Sequence, residues 1–270
     1  MSAQTITRRL TQADLAKLYQ AGDKVVMFTC YDASFARLLD AAGVEVMLIG
    51  DSLGNVIQGH DTTLPVTVAD IAYHTAAVKR GSDHAFIIAD MPFGSYQESP
   101  EQAFRNAVTL MAAGAQMVKL EGGLDMAKTV EFLVHRGIPV CGHVGLTPQS
   151  VHALGGYKVQ GKNDEAAESL LRDARALADA GVFALVMECV PALLANEITQ
   201  AVSAPTIGIG AGKYCDGQIL VSHDVLGLPS EVKPKFVKAY ASLGTEMRRA
   251  FESYKREVEE GLFPSDEQSY

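Results

Sequence analysis

Short apolar runs alternate with longer stretches of helical periodicity along the whole chain. The runs are rich in β-branched residues and continuously hydrophobic, which is typical of strands covered on both faces. Strands are predicted at residues 24–30, 44–50, 85–90, 115–121, 138–143, 183–188, 204–210 and 219–223. This alternation of strands and helices indicates βα units in a parallel sheet.

The stretches between the strands predict amphipathic helices, for example at residues 66–80, 99–113 and 164–180. Ser99 followed by Pro100 suits the N-cap and the first position of one helix. In a chain of 270 residues, this number of strands favours a single-domain (β/α)₈ TIM barrel over a doubly wound sheet. Residues 1–22 are predicted to form an N-terminal helical extension, and residues 233–270 C-terminal helices.

Composition narrows the class of protein. The 23 Lys and Arg against 32 Asp and Glu give a net charge of −9, so a nucleic-acid partner is not expected. The chain has neither a run long enough to span a bilayer nor a leader-like apolar segment, which predicts a cytoplasmic protein without membrane contact. The cysteines form no C-x-x-C pair and lie mostly in apolar runs, as buried thiols would; they are Cys30, Cys141, Cys189 and Cys215.

Ionisable residues interrupt the apolar pattern at the ends of five consecutive predicted strands. These residues are Asp51, Asp90, Lys119 with Glu121, His143, and Glu188. An aspartate after one strand is often only a turn or cap residue. Because the carboxyl ends of parallel strands share one face, a series of five predicts a common site.

Three of these residues, Asp51, Asp90 and Glu121, offer carboxylate oxygens without accompanying thiol or paired imidazole ligands. Such a set suits Mg²⁺ or Mn²⁺ better than zinc. A 2-oxo acid could chelate that ion through its carboxylate and carbonyl oxygens, which would acidify the adjacent carbon. Glu188 follows an apolar strand, where desolvation favours a role as general base.

Two glycine-containing motifs suggest other chemistries. Residues 50–54, Gly-Asp-Ser-Leu-Gly, match the G-x-S-x-G pattern of serine hydrolases, but residues 55–65 are predicted as loop where that motif needs a helix. We therefore expect Ser52 to bind a substrate oxygen. Residues 208–213 resemble a phosphate loop, yet Tyr214 stands where Ser or Thr is required, so a tight turn ranks first and an anion contact second. His143 ends a predicted strand and precedes a polar loop, which favours a place in the site.

Longer motifs extend over nearly the whole chain. They occupy residues 50–54, 58–61, 64–75, 89–93, 118–123, 142–150, 155–161 and 208–212. In their order and their amino-acid sequences, for example Ala89-Asp-Met-Pro-Phe93, these motifs resemble those of the 3-methyl-2-oxobutanoate hydroxymethyltransferase (ketopantoate hydroxymethyltransferase) family.

This resemblance implies a (β/α)₈ barrel that transfers a hydroxymethyl group from 5,10-methylenetetrahydrofolate to 3-methyl-2-oxobutanoate. The product would be 2-dehydropantoate, a precursor in pantothenate synthesis, formed with Mg²⁺ through a metal-stabilised enolate. The family's roles fall on metal ligands Asp51, Asp90 and Glu121, on substrate contacts Asp51, Ser52, Asp90 and Lys119, and on the proton acceptor Glu188, with His143 as a pocket residue. The resemblance also implies a homo-oligomer, commonly a decamer.

Two other interpretations stay open at this point. One is an enzyme of the phosphoenolpyruvate mutase and isocitrate lyase group, although the chain lacks that group's usual Lys-Lys-Cys-Gly-His loop. The other is a metabolite-binding barrel without catalytic activity.

Overall fold

The computed structural model describes residues 8–228 and 234–270. Eight parallel strands close into a barrel, each hydrogen-bonded to its neighbours in chain order, and β8 pairs with β1. The strands are β1 (Val25–Thr29), β2 (Val46–Ile49), β3 (Phe86–Asp90), β4 (Met117–Glu121), β5 (Val140–Gly145), β6 (Ala184–Glu188), β7 (Thr206–Ile209) and β8 (Gly217–Leu220). The predicted (β/α)₈ barrel is confirmed.

Helices precede, connect and follow the strands. They are α1 (Gln12–Ala21), α2 (Ala33–Ala41), α3 (Leu53–Val56), α4 (Val68–Gly81), α5 (Pro100–Ala113), α6 (Ala127–Val134), α7 (Val151–Leu154), α8 (Asp164–Asp179), α9 (Ala192–Ala201), α10 (Ser222–Leu226) and α11 (Leu243–Glu259). The three predicted helices correspond to α4, α5 and α8. Helix α5 begins as predicted, because the Ser99 side chain accepts a hydrogen bond from the Gln102 amide and Pro100 occupies the first turn.

The chain divides into two compact units, residues 1–220 and 221–270. The first contains the barrel, and α1 lies within the predicted N-terminal extension. The second unit contains α10 and α11. Helix α11 falls within the C-terminal helical region predicted at residues 233–270. The predicted start of that region, residue 233, lies outside the described residues. The assignment of residues 1–270 to one domain stays a prediction. Within the described residues, no helix is both long and apolar enough to cross a bilayer.

Six strands lie within their predicted ranges, whereas β5 and β8 extend beyond theirs. Strand β5 continues past His143 to Gly145, because its pairing with β6 extends through Gly145 opposite Glu188. The last strand begins earlier and ends at Leu220, while Ser222 and His223 start helix α10. The sequence pattern did not predict the start of β8, because the polar, exposed side chain of Gln218 interrupts its apolar run.

Alternate strand residues fill the barrel interior, as the two-residue repeat of a strand requires. This interior cluster comprises Val25, Met27, Val46, Leu48, Phe86, Ile88, Met117, Cys141, Ala184, Val186, Ile207 and Ile219, together with Leu10 and Leu15. The residues between them on each strand pack outward against the helices. Cys30, Cys141 and Cys215 are buried free thiols, as predicted, and Cys189 is half-buried.

Candidate active site

The two-residue alternation places a charged layer above the apolar barrel interior. On β3, Asp90 has the same inward parity as Phe86 and Ile88, and on β4 Lys119 and Glu121 follow Met117. His143 on β5 and Glu188 on β6 continue the series in the same way. The structure therefore brings together the residues that sequence reasoning placed at separate strand ends.

Within this layer, Asp90 contacts both Lys119 and Asp51. Its Oδ1 is 2.9 Å from Lys119 Nζ, and its Oδ2 accepts a hydrogen bond of 3.0 Å from the Asp51 backbone amide. Burial lowers the pKa of Lys119, but the charges of Asp90, Glu121 and Asp51 outweigh it and raise that pKa above its usual value. Lys119 is therefore a permanent buried cation.

Asp51 is a buried acid whose surroundings disfavour its ionised form. Burial and the charges of Asp90 and Glu121 raise the pKa of Asp51 to about 8. Lys119 and a hydrogen bond of 2.8 Å from Gln149 Nε2 to Asp51 Oδ2 oppose that rise. A cation beside Asp51 would relieve the repulsion among these carboxylates.

His143 lies between Glu121 and Glu188, the two glutamates of the layer. Its Nδ1 lies 3.4 Å from Glu121 Oε1, and its Nε2 lies 3.3 Å from Glu188 Oε2. Burial and the charge of Lys119 lower the pKa of His143, but Glu121 and Glu188 outweigh them, and the pKa rises to about 9. The two glutamates thus favour the protonated imidazole, whereas Lys119 Nζ, which lies 3.4 Å from His143 Nδ1, opposes it. The Glu188 side chain is 17% exposed, so it can be reached from the mouth of the barrel.

Ser52 lies beside this network, after β2. Its Oγ is 2.8 Å from the hydroxyl of Tyr31, a buried side chain that follows β1. A Cβ at Gly50 would stand 2.8 Å from Ser52 Oγ, so the glycine allows the close turn. The expected loop after Ser52 is partly wrong, since the short helix α3 (Leu53–Val56) follows it directly. Ser52 nevertheless pairs with a tyrosine instead of a histidine base, and this contact argues against a hydrolase nucleophile.

The glycine-rich segment after β7 behaves as a turn. Gly210 and Gly212 both have positive φ, 64° and 80°, a conformation that favours glycine. Gln218 Nε2 donates to the Gly212 carbonyl at 3.0 Å and closes the segment back onto β8. This supports the interpretation of the motif that ranked first, a tight turn, over an anion contact.

Gln149 and Tyr96 are site residues that the sequence reasoning did not identify. Gln149 is buried and contacts Asp51 and Glu121, while the Tyr96 hydroxyl accepts a hydrogen bond of 3.0 Å from the Glu121 amide. The polar loop after His143 was a usable signal for Gln149. Tyr96 gave none, because an aromatic residue in a βα loop has no characteristic pattern.

The carboxylates of this layer are the candidate ligands for Mg²⁺. Among the described residues, no three Asp, Glu, His or Cys side chains already converge on one metal position. Asp51 and Asp90 are in direct contact, whereas Glu121 joins them through Gln149 and its oxygens face the Gln149 amide and His143. Because Mg²⁺ commonly takes one or two protein carboxylates and fills its remaining positions with water and substrate oxygens, the donors fit this ion.

A separate cavity of about 490 Å³ lies beside the ends of β4 and β5 and helix α8. Gly122, Val144, Asn163 and Asp173 are among the residues that line it. None of the predicted site residues contributes to its wall. The chemistry is therefore concentrated in the charged layer and not in this cavity.

Fold and site together define a (β/α)₈ barrel enzyme with a buried carboxylate, lysine and histidine network at the carboxyl ends of its strands. The family model described as "Ketopantoate hydroxymethyltransferase" matches residues 9–266. The chain belongs to the ketopantoate hydroxymethyltransferase family, whose members are transferases of pantothenate synthesis.

Curated relatives support this membership. The chain is 68% identical to 3-methyl-2-oxobutanoate hydroxymethyltransferase of Dechloromonas aromatica, with 100% of this chain and 99% of the relative covered. It is 58% identical to the protein of the same name from Nitrosospira multiformis, with 97% and 100% covered.

Solved structures share the fold at low sequence identity. A 2,3-dimethylmalate lyase of the PEP mutase/isocitrate lyase superfamily has a TM-score of 0.62 and 16% identity, with 97% of this chain and 92% of that chain covered. Phosphonopyruvate hydrolase in complex with oxalate and Mg²⁺ has a TM-score of 0.63 and 12% identity, with 96% and 93% covered. The phosphoenolpyruvate mutase and isocitrate lyase group, which was the alternative enzyme interpretation, therefore shares the barrel fold with this chain. The chain itself belongs to the ketopantoate hydroxymethyltransferase family.

Proposed function

We propose that the chain transfers a hydroxymethyl group from 5,10-methylenetetrahydrofolate to 3-methyl-2-oxobutanoate and so forms 2-dehydropantoate. The observation that carries this proposal is the single buried network that joins Asp51, Asp90, Lys119, Glu121, His143 and Glu188. It combines carboxylate donors for a cation, a fixed positive charge for an anionic substrate and a reachable carboxylate for proton removal.

Asp51 and Asp90 would hold Mg²⁺, with Glu121 as the third carboxylate of the site. When bound, the ion would polarise the substrate carbonyl and stabilise negative charge that develops on its oxygen. The neighbouring carboxylates that destabilise the ionised form of Asp51 would at the same time favour a divalent cation.

Lys119 and Ser52 would bind the 2-oxo acid. Lys119 is paired with Asp90, and its remaining donors can offset the charge of the substrate carboxylate. The Ser52 hydroxyl, oriented by Tyr31, would donate to a substrate oxygen. Lys119 is buried and Ser52 is half-buried, and the exclusion of water around Lys119 strengthens its electrostatic interactions.

Glu188 would remove the proton from C3 of the oxo acid, leaving an enolate. Water adds to the methylene carbon of the folate iminium, the methylene–nitrogen bond breaks, and the released folate nitrogen keeps a proton from that water, which leaves the one-carbon unit as formaldehyde. C3 of the enolate then forms a bond to the formaldehyde carbon, and the resulting alkoxide takes up a proton to give the hydroxymethyl group. His143 positions Glu188 from one side, because its Nε2 lies 3.3 Å from Glu188 Oε2.

The same proposal includes the folate co-substrate, the cytoplasmic location and the homo-oligomeric state, commonly a decamer, that the resemblance implies. The fold neighbour phosphonopyruvate hydrolase was solved with Mg²⁺ and oxalate, and oxalate resembles the two-oxygen edge of a 2-oxo acid. This agrees with the chelation chemistry proposed here, although the likeness itself concerns the fold.

The decisive experiment incubates the purified chain with 3-methyl-2-oxobutanoate, 5,10-methylenetetrahydrofolate and Mg²⁺ and identifies products by mass spectrometry. We expect 2-dehydropantoate and tetrahydrofolate in equal amounts. A parallel sample without folate, in deuterated water, should show deuterium at C3 of the oxo acid. Carbon–carbon cleavage products would favour mutase and lyase chemistry instead, and binding without turnover or exchange would contradict the proposal.

A further inference from the structure

Gln149, through its side chain and its backbone N–H, contacts groups from more strands of the site than any ionisable residue described above. It lies in the 3₁₀ turn Pro148–Ser150 after β5 and is buried. Its Nε2 donates to Asp51 Oδ2 at 2.8 Å and to the Met91 carbonyl at 3.0 Å, and its backbone N–H donates to Glu121 Oε2 at 3.0 Å. One residue therefore connects groups that follow or end β2, β3 and β4.

The surroundings dictate the orientation of the Gln149 carboxamide. Its Oε1 accepts from the Tyr96 hydroxyl at 2.7 Å and from Gln97 Nε2 at 3.3 Å. Reversing the amide would place its oxygen against Asp51 Oδ2 and the Met91 carbonyl, which are both acceptors. Because a carboxamide has two donors on nitrogen and acceptor capacity only on oxygen, a single orientation satisfies these contacts.

Tyr96 continues this fixed direction of hydrogen-bond donation to β4, the strand that carries Glu121. The Tyr96 oxygen accepts from the Glu121 amide at 3.0 Å, and of the two acceptors within reach of its proton, Gln149 Oε1 at 2.7 Å is nearer than the Glu121 carbonyl at 3.2 Å. Donors thus run in one direction, from Glu121 through Tyr96 and Gln149 to Asp51. Buried polar chains of this kind hold their members in fixed positions when every contact is satisfied.

A neutral donor has a specific advantage beside Asp51. Asp90 is already paired with Lys119, and a second cationic side chain on Asp51 would compete with a bound cation. The Gln149 amide restrains Oδ2 of Asp51 without cancelling its charge. It thereby restricts rotation of the carboxylate and leaves Oδ1 for another ligand.

We propose that Gln149 is a positioning residue that sets the carboxylate geometry of Asp51 and Glu121 for a divalent cation. This inference rests on the proposed function, in which Asp51 and Asp90 hold that cation. Outer-shell partners of metal-ligating side chains typically contribute about 10- to 100-fold in metal affinity. Removal of the Gln149 amide should have an effect in that range.

The test measures Mn²⁺ affinity, with bound and free Mn²⁺ distinguished by electron paramagnetic resonance, for the full chain and its variants. Gln149→Met keeps side-chain length but removes the amide. Gln116→Met is the matched control, because Gln116 also makes two side-chain amide contacts, accepting from the Ile87 amide and donating to the Leu10 carbonyl, at the opposite ends of the strands. Thermal unfolding of each metal-free variant reports the purely structural cost.

We expect Gln149→Met to weaken Mn²⁺ binding by about 10- to 100-fold, while Gln116→Met lowers thermal stability without this loss. If Gln149→Met does not fold, Tyr96→Phe carries the test, since it removes the hydroxyl that orients the amide and should weaken Mn²⁺ binding in the same direction. Wild-type affinity in the folded variant would overturn the positioning role alone. Failure of the wild-type chain to bind Mn²⁺ would overturn both this role and the cation site of the proposed function.

Discussion

Lys119 Nζ lies 2.9 Å from Asp90 Oδ1, and both side chains are almost completely buried. The pair joins neighbouring strands, β3 and β4, at positions that face each other in the sheet register. An ion pair at this depth is costly to desolvate and contributes little to net stability compared with apolar packing. Its presence above an otherwise apolar interior therefore indicates a functional requirement.

Breaking this pair should destabilise the metal-free protein strongly. Lys119→Met leaves Asp90 buried without its cation, and loss of one partner from a buried pair costs about 3–5 kcal/mol. Urea unfolding in the presence of a chelator measures the change. The control is Lys255→Met, which removes an exposed pair with Glu259 and should cost about 1 kcal/mol or less. Equal losses in the two variants would contradict the buried, desolvated character of the Lys119 pair.

Glu188→Gln should abolish deuterium exchange at C3 of bound 3-methyl-2-oxobutanoate, because an amide cannot accept the proton as a carboxylate does. Mn²⁺ affinity should change little, since His143 lies between Glu188 and Glu121. Nuclear magnetic resonance of the oxo acid follows the exchange. Glu197→Gln, at an exposed position of α9, is the matched control and should exchange at the wild-type rate. Exchange by the Glu188 variant at that rate would remove Glu188 as the base.

Stability of the metal-free protein should fall as the pH rises above neutrality. The pKa of His143 is about 9 in the folded protein, above its ordinary value of about 6.5. Its stabilising contribution is therefore fully present below about pH 6.5 and is lost as the pH rises through 9, a loss of about 3 kcal/mol.

Asp51 acts in the same direction. Its pKa of about 8, against an ordinary value of 3.8, makes folding less favourable as the pH rises from 3.8 through 8. Denaturant titrations between pH 6 and 9 measure the combined slope, and His143→Gln should flatten it. Added Mg²⁺ should stabilise the protein more at high pH, where Asp51 is ionised. A pH-independent stability in the wild-type protein would contradict these assignments.

Ser52→Ala should weaken binding of the 2-oxo acid. Hydrogen bonds to charged groups contribute about 1.5–3 kcal/mol, which corresponds to a loss of roughly 10- to 100-fold in affinity. Calorimetric titration with 3-methyl-2-oxobutanoate in the presence of Mg²⁺ provides the measurement. Ser34→Ala, at an exposed position near the start of α2, should bind normally. If both variants bind alike, Ser52 does not contact the substrate.

Much of the active layer could be predicted from the sequence because strand parity is a local property. Asp90, Lys119, Glu121 and Glu188 are each an even number of residues from an interior apolar residue of the same strand, so their common direction follows from the pattern. The β8 boundary was harder, since a short strand with exposed Gln218 lacks a continuous apolar run.

The amino-acid sequence by itself determined the order of the strands and helices and the set of ionisable residues at the strand ends. Only the tertiary structure decided which of them meet, and it added Gln149, Tyr96 and Tyr31 as their partners. The physical reason is that periodicity depends on neighbours along the chain, whereas these hydrogen bonds join residues far apart in sequence. Closure of the barrel brings those residues within hydrogen-bonding distance.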